Sequence, residues 1–383
     1  MQTQVAIIGA GPAGLLLGHL LQQAGIDTVI LENRNETFLR ANWRGGMIEP
    51  AIAQILIDNG VGEQLQKEGI KVEGIQFHYN GEKQRIVFGD KHPIIYNQHD
   101  LIEDLIDIRR TLQQSTIFEG KGQRYEGLDT PNPRIHYTLN AALYQLDCEF
   151  VIGCDGFRGI SRRVIPASTR KEIQEELPYA WLDWLVDAPP RVKAPIYGYH
   201  ADGFALQMPT SDGKTRLHLQ IKRGTEKEDL PSEGELWQQF EIRLNTKLNR
   251  GKVIQQKLDY MRHFHTQNWQ NGRLFIAGDA AHVVERTGSK GLNMAFADAI
   301  YLASALIDFY KKGDRTSLDN YTNLALTRTL EVKKFTAWFT KLMHVNLAAS
   351  SVEKVAQFQE ISNLFKDKAA VENLVQNLIG LPL

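Results

Sequence analysis

Cysteine is almost missing from this chain. Two occur in 383 residues, Cys148 and Cys154, and their spacing is neither a Cys-x-x-Cys pair nor half of a zinc site. A disulfide scaffold is excluded, and a reducing compartment is expected. Charge of one sign is missing too: 44 Lys and Arg stand against 45 Asp and Glu, a formal net charge of −1. That balance excludes a nucleic-acid binder driven by bulk charge. No Lys or Arg precedes Arg34, so the apolar stretch around Val5–Ile8 and Leu15–Leu21 lacks the basic flank of a secretory signal, and Gly9, Gly11, Pro12 and Gly14 interrupt it. No window approaches the roughly 20 apolar residues of a membrane helix. The expectation is a soluble, cytoplasmic protein with no nucleic-acid or membrane partner. Repeats and low-complexity linkers are also absent. The hydrophobic share of 43% and charged share of 23% are ordinary for a globular protein, and the length suggests two or three domains.

What is present begins at once. Residues 4–8 read as a buried strand and run into Gly9-Ala10-Gly11-Pro12-Ala13-Gly14, a G-x-G-x-x-G. A helix pattern with Leu17, Leu20 and Leu21 on one face follows, closed by Gly25. A second strand, Asp27–Leu31, ends in Glu32, 21 residues past Gly11. Gly9 permits the tight turn, Gly11 lets a pyrophosphate approach the backbone, and Gly14 lets helix and strand touch. The helix N-terminus offers free N–H groups to the phosphates, and Glu32 sits where a carboxylate accepts from ribose hydroxyls. Strand, turn, helix, strand and acid in register mark a dinucleotide site. They do not separate FAD from NAD.

Two later segments choose. Phe150–Gly153 reads as a strand that ends in Cys154-Asp155-Gly156, with Arg158 and Ser161 in the helix start beyond it. Arg273–Ala277 reads as a buried strand that delivers Asp279 to its carboxyl end, where open α/β sheets bind ligands. The loop Thr287-Gly288-Ser289-Lys290-Gly291 then enters a long helix, about Leu292–Lys312, with Gly313 as its cap. A helix N-terminus of this kind stabilises the negative charge that a reduced flavin carries at one end of its ring.

Together these segments resemble the class A flavoprotein aromatic monooxygenases, and most closely their hydroxybenzoate-hydroxylating branch. Gly153–Phe157, Gly159–Arg162, Gly203–Leu206, residues 272–293 and Ile379–Pro382 all look like that branch, so the likeness runs nearly end to end. The resemblance implies an α/β fold: a Rossmann-like FAD-binding domain, an inserted antiparallel substrate sheet and a helical C-terminal region. It implies NAD(P)H as transient reductant, a C4a-hydroperoxyflavin, and one oxygen atom of O2 inserted into a small aromatic ring. It places Gly9, Gly11, Ala13, Gly14, Glu32, Arg44, Gln98, Asp155, Asp279, Lys290, Gly291, Leu292 and Asn293 against FAD. It places Arg34, Arg158 and Arg262 toward NADPH or NADH, and Arg216 where the family moves its flavin. Tyr197 falls on the tyrosine that activates the phenol, and a homodimer is typical.

The substrate pocket departs from that pattern. The positions that grip a substrate carboxylate in the resembled branch are Met208, Thr210 and His218 here. Threonine cannot replace an arginine–carboxylate fork. The outward proton relay is matched by Leu378 and Val72, which cannot carry protons. Arg286 stands where a proline is expected beside the substrate, next to Thr287. It is expected either to bind an acidic substituent or to pair with Glu285. Thus 4-hydroxybenzoate is not the expected substrate, although its turnover in a rebuilt pocket is the alternative. A halogenase is a further alternative, disfavoured because Trp181-Leu182-Asp183-Trp184 lacks the Trp-x-Trp-x-Ile-Pro signature. A non-oxygenating flavin oxidoreductase and a non-catalytic flavin binder complete the set. No metal is expected: His263 and His265 lack a third ligand at suitable spacing. Phe335, Trp338, Phe339 and Leu342 have helical spacing and read as core or dimer seam. The expected organisation is an FAD domain at 1–175 and 269–320, a substrate sheet at 176–268 and a helical region at 321–383.

Overall fold

The computed structural model describes residues 1–41 and 43–383. Val5–Ile8 is fully buried, as its unbroken apolar run requires for the central strand of a parallel sheet. It pairs in parallel with Thr28–Leu31 on one side and Phe150–Gly153 on the other. Helix Pro12–Gln23 makes the crossover. Ser115–Ile117 and Leu274–Ile276 extend the sheet outward, and Gln270–Asn271 closes the second edge as an antiparallel hairpin. Helix Gly291–Lys312 packs against the sheet and ends at Gly313, whose φ of 70° is the left-handed cap expected of glycine. This helix alone among the described residues has the length and apolarity of a membrane span, and most of it is buried inside this domain.

An eight-stranded sheet forms the second layer. Its order is His282–Val283, Lys252–Thr266, Glu172–Asp187, Thr215–Lys222, Ala205–Pro209, Ile196–Tyr199, Gly74–Tyr79 and Glu82–Val87. Strands Ile196–Tyr199, Ala205–Pro209 and Thr215–Lys222 lie inside the stretch expected to hold the substrate sheet. Gly74–Val87, by contrast, leaves the stretch assigned to the FAD domain and completes the substrate sheet, with Gly74–Tyr79 pairing in parallel to Ile196–Tyr199. That pairing joins residues about 120 apart in the chain, which no local pattern announces. A helix, Glu233–Arg243, lies beside the sheet, started by the capping box of Ser232 and Glu235.

The strands alternate, so the two faces differ. Leu182, Trp184, Leu217 and Leu219 pack on one face against Trp237 and Phe240 of that helix. Trp181, Tyr197, Leu206 and Met208 face the other way, toward Phe335, Phe339 and Leu342 of helix Thr316–Met343. The aromatic stripe of that helix is therefore core around Tyr197, and of its members only Trp338 is exposed, at 36%. Helices Ser351–Lys366 and Lys368–Ile379 finish the helical region, with Leu374 and Leu378 in the same apolar cluster.

Candidate active site

The glycine turn behaves as its chemistry demands. A Cβ on Gly9 would lie 2.3 Å from the Cys154 carbonyl oxygen, and Gly9 has a φ of 104°. A Cβ on Gly14 would lie 2.0 Å from the Gly9 carbonyl oxygen. At Gly11 a Cβ would meet nothing within 4 Å, so an open cradle lies over the helix N-terminus. Glu32 is buried at the end of its strand and accepts from the backbone N–H groups of Ala10 and Arg34, both at 2.7 Å. Gly278 packs between Ala13 and Ala295, which brings the Asp279 turn to the same helix end.

Asp279 is exposed although Gly278 and Ala280 beside it are buried. Its carboxylate therefore points into a cleft walled by protein. Burial in that cleft pushes its pKa up, against the pull of Arg44. The loop Arg44–Gly46 is held by two backbone bonds, Gln98 N–H to the Arg44 carbonyl at 3.1 Å and Tyr96 N–H to the Gly46 carbonyl at 3.2 Å. The Gly291 helix enters beside it: a Cβ on Gly46 would lie 3.5 Å from Leu292 Cδ2. The first intrahelical bond there comes from Met294 N–H to Lys290, so the N–H groups of Gly291 and Leu292 have no partner within the helix. Open cradle, exposed Asp279 and free helix N-terminus fit a flavin dinucleotide.

Three residues expected against FAD spend their side chains on protein partners. Lys290 turns inward: its ammonium is buried, 2.7 Å from Glu49, and donates to the Leu378 carbonyl at 3.1 Å. Asn293 spends its amide on the Met47 and Ser289 carbonyls and accepts from Glu49 N–H. Asp155 accepts from the N–H and hydroxyl of Ser161, both at 2.9 Å, and so caps the short helix that follows. All three side chains build the site's walls. The loop motif looked like cofactor binding because it is the backbone there that faces the cradle.

On the sheet, six residues stand in one row on the inner face: Phe77, Tyr197, Leu206, His218, Asp183 and Lys257 are successive cross-strand partners. Tyr197 is 1% exposed, stacked on Phe77 with centroids 5.5 Å apart and tilted against Phe339 at 5.4 Å. Its hydroxyl makes no hydrogen bond to a described residue, and burial pushes its pKa well up. Val72 and Leu378 are buried in the same cluster, so the path beyond Tyr197 is dry hydrocarbon.

His218 Nδ1 hydrogen-bonds Asp183, and Arg286 Nη1 holds the other Asp183 oxygen at 2.6 Å and Asp259 at 2.5 Å. Arg286 also lies over the Trp181 ring, 5.2 Å from its centroid. This corrects the expectation for Arg286: two carboxylates neutralise it, and Glu285 is engaged elsewhere, by Thr336. Burial would raise the Asp183 pKa, but Arg286 and then His218 hold it far below the usual carboxylate range. The stabilisation Asp183 brings is thus fully present above the ordinary carboxylate pKa and is lost only as pH falls through its depressed value in the folded chain. Asp183 protonation is therefore not expected to lower stability between pH 5 and pH 4, which a pH titration of denaturation midpoints in parent and Asp183→Asn proteins measures.

Thr210 is corrected too. Its hydroxyl is buried in a turn, donating to Asp212 at 2.6 Å and accepting from Lys214 N–H at 2.8 Å. Met208 packs in the apolar cluster. Arg216 lies in register between Met208 and Leu185 and is 5% exposed. Its Nε and Nη2 are buried without a partner among the described residues, and burial brings its pKa down to about 10. A Cβ on Gly45 would lie 3.3 Å from its side chain, so Arg216 reaches the Arg44–Gly46 loop. Thr287 is fully buried, its hydroxyl without a partner among the described residues, and Gly288 beside it abuts Phe335.

Of the three surface arginines, one packs beside the loop that carries another. Arg262 stacks over Phe157 at 4.8 Å, next to exposed Arg158. Arg34 is exposed and stacks on its own Phe38 at 5.0 Å. His263 and His265 hydrogen-bond each other at 2.9 Å, and no group of three potential metal ligands occurs among the described residues. Sequence reasoning missed Asp183 and Asp259. The signal was available: Asp183 is a charged residue at an inward position between Trp181 and Leu185, and such a residue needs a partner.

Comparison with known proteins agrees with this geometry. The family profile described as FAD binding domain matches residues 2–336. A p-hydroxybenzoate hydroxylase from Acinetobacter baylyi is 34% identical, covering 100% of this chain and 96% of its own. A 3-amino-4-hydroxybenzoate 2-monooxygenase from Streptomyces cremeus is 25% identical, covering 86% of this chain and 85% of its own. The crystal structure of p-nitrophenol 4-monooxygenase from Pseudomonas putida DLL-E4 superposes with a TM-score of 0.85 at 19% identity, over 100% of both chains.

Proposed function

Because the chain belongs to the FAD-binding-domain family and is kin over its full length to flavin-dependent aromatic hydroxylases, we propose that it hydroxylates a single aromatic ring that carries no carboxylate at the His218 end of the pocket, with NAD(P)H as reductant. FAD, when bound, accepts the reducing equivalents and activates dioxygen. The chain's residues do the rest. Gly9, Gly11, Gly14, Glu32 and Asp279 hold the dinucleotide, and the backbone at Gly291 and Leu292 faces the ring. Arg216 supports the Arg44–Gly46 loop beside it. Tyr197 presents its hydroxyl to the substrate, while Phe77, Phe339, Leu378 and Val72 exclude water. Arg158 and Arg262 form the basic landing for the reductant, with Arg34 nearer the adenine end. A cytoplasmic homodimer is part of this reading.

One observation carries the substrate class. The buried Asp183 carboxylate stands directly behind His218, where the resembled branch grips its substrate carboxylate, and Arg286 is already neutralised by two acids. A second carboxylate placed there would face a like charge at short range and low dielectric, and Arg286 is not free to neutralise it. In a stopped-flow screen of NAD(P)H-driven flavin reduction, phenols and aminoarenes lacking a carboxylate are expected to accelerate reduction more than 4-hydroxybenzoate. Micromolar binding and fully coupled turnover of 4-hydroxybenzoate would overturn this. Tyr197→Phe is expected to lower coupled hydroxylation about 10- to 100-fold, the value of one hydrogen bond to a developing charge, while FAD affinity stays near parental. Equal loss of both, measured by product yield and flavin titration, would remove Tyr197 from the reaction.

A further inference from the structure

We infer that Asp183 and His218 form the base that ionises the substrate's ring hydroxyl, a role that rests on the aromatic-hydroxylase reading of the same site. The geometry of the sheet row carries it. His218 Nδ1 is turned to Asp183, and its Nε2 has no partner among the described residues. The Tyr197 hydroxyl likewise has no hydrogen-bond partner among the described residues, in a side chain that is 1% exposed. Only Leu206 separates the two in the row. Two strand spacings put their strands about 10 Å apart, close to the length of one six-membered ring with a hydrogen bond at each end. Leu206 forms the floor beneath the ring.

The protonation states suit a base. Asp183 is ionised, so it accepts from Nδ1–H and leaves Nε2 with a free lone pair. The groups facing His218 are Arg216 on its own strand, Asp183 with Trp181 and its partner His344 on the next, Lys257 and Asp259 beyond, and Arg286 from the loop above. Burial lowers the His218 pKa most, Asp183 raises it, and Arg286 and Arg216 lower it, so the ring stays neutral at ordinary pH. In the step, the substrate O–H bond breaks, its proton forms a bond to Nε2, and the electron pair remains on oxygen to enrich the ring. The imidazolium is stabilised by Asp183 until it returns the proton to water as product leaves. This base replaces the outward relay that Val72 and Leu378 cannot provide. His218 is the catalytic residue. Asp183 is a positioning residue, held in turn by Arg286.

The test uses FAD-loaded parent, His218→Gln and Asp183→Asn proteins with phenol and 4-nitrophenol as probes, scored as product formed per NAD(P)H consumed across pH. Both variants are expected to lose about 100-fold or more in coupled hydroxylation of phenol, whose hydroxyl is un-ionised at neutrality, and far less with 4-nitrophenol, which ionises unaided. The acid limb of the parent profile is expected to vanish in His218→Gln and to move to lower pH in Asp183→Asn, where the supporting charge is gone. If both variants keep the parent limb, or lose both probes equally at every pH, the dyad is structural and the proposal falls while the hydroxylase reading stands. If the parent protein hydroxylates neither probe nor any other phenol, both fall together. His218→Gln keeps a side chain of similar size, so the outcome does not depend on Asp183→Asn folding.

Discussion

Gly11→Ala is expected to fold like the parent chain and to purify without flavin, whereas Gly14→Ala is expected not to fold. Both residues belong to one six-residue turn, so the contrast tests which glycine serves the ligand and which serves the chain. A Cβ at position 14 would sit 2.0 Å from the Gly9 carbonyl oxygen and 3.2 Å from Cys154 Cβ. The nearer atom is backbone in the central strand's turn and cannot swing aside, so the strand-to-helix junction itself must open. At position 11 a Cβ meets no protein atom within 4 Å, and the φ of −74° suits alanine. Replacing glycine there restricts the unfolded chain, worth about 0.4–1 kcal/mol, and weakens a helix cap by a similar amount, so flavin-free stability should hardly change. The new methyl occupies the volume through which a pyrophosphate reaches the N–H groups. A loss of FAD affinity of at least 100-fold is expected, read by flavin fluorescence titration, with an unchanged denaturation midpoint for the flavin-free protein. Parental FAD affinity in Gly11→Ala would show that the cradle is not where the diphosphate lies.

The same contrast explains what could be read from residues alone. The cradle is local: strand, turn, helix, strand and Glu32 fall within the first 32 residues, and each uses a spacing set by backbone geometry. The Gly313 cap and the strands at 196–199 and 215–222 are local in the same sense. The pocket is not. Its row is assembled from six strands between Phe77 and Lys257, and the register that puts His218 beside Asp183 is fixed by pairings across 35 residues. A residue-by-residue comparison with a family shows what has been lost at Thr210, Val72 and Leu378. It is blind to Asp183, because no family role marks that position. Lys290 was misplaced for a related reason: its loop faces the cradle through backbone atoms, so the motif says nothing about the direction of the side chain.

That direction has a consequence large enough to measure. Lys290→Met is expected to destabilise the protein by about 3–5 kcal/mol while leaving FAD affinity within a few-fold of the parent. The Lys290 ammonium and the Glu49 carboxylate are 3% and 4% exposed and 2.7 Å apart. Arg328 approaches the same carboxylate at 3.5 Å and donates to the Pro382 and Leu381 carbonyls. Glu49 also fills the space over Gly380, where a Cβ would lie 2.1 Å from its oxygen. The cluster therefore ties three remote pieces together: the loop after Met47, the entry of the Gly291 helix and the C-terminal segment. Removing the lysine strips the buried carboxylate of its hydrogen-bonded cation and leaves it only Arg328 at 3.5 Å, which is why the cost exceeds that of any surface pair. The C-terminal segment gives an independent readout, since Lys290 also donates to Leu378: limited proteolysis should cut Lys290→Met near residue 380 before the parent is cut. A variant with parental stability and strongly weakened FAD binding would instead place the ammonium against the cofactor.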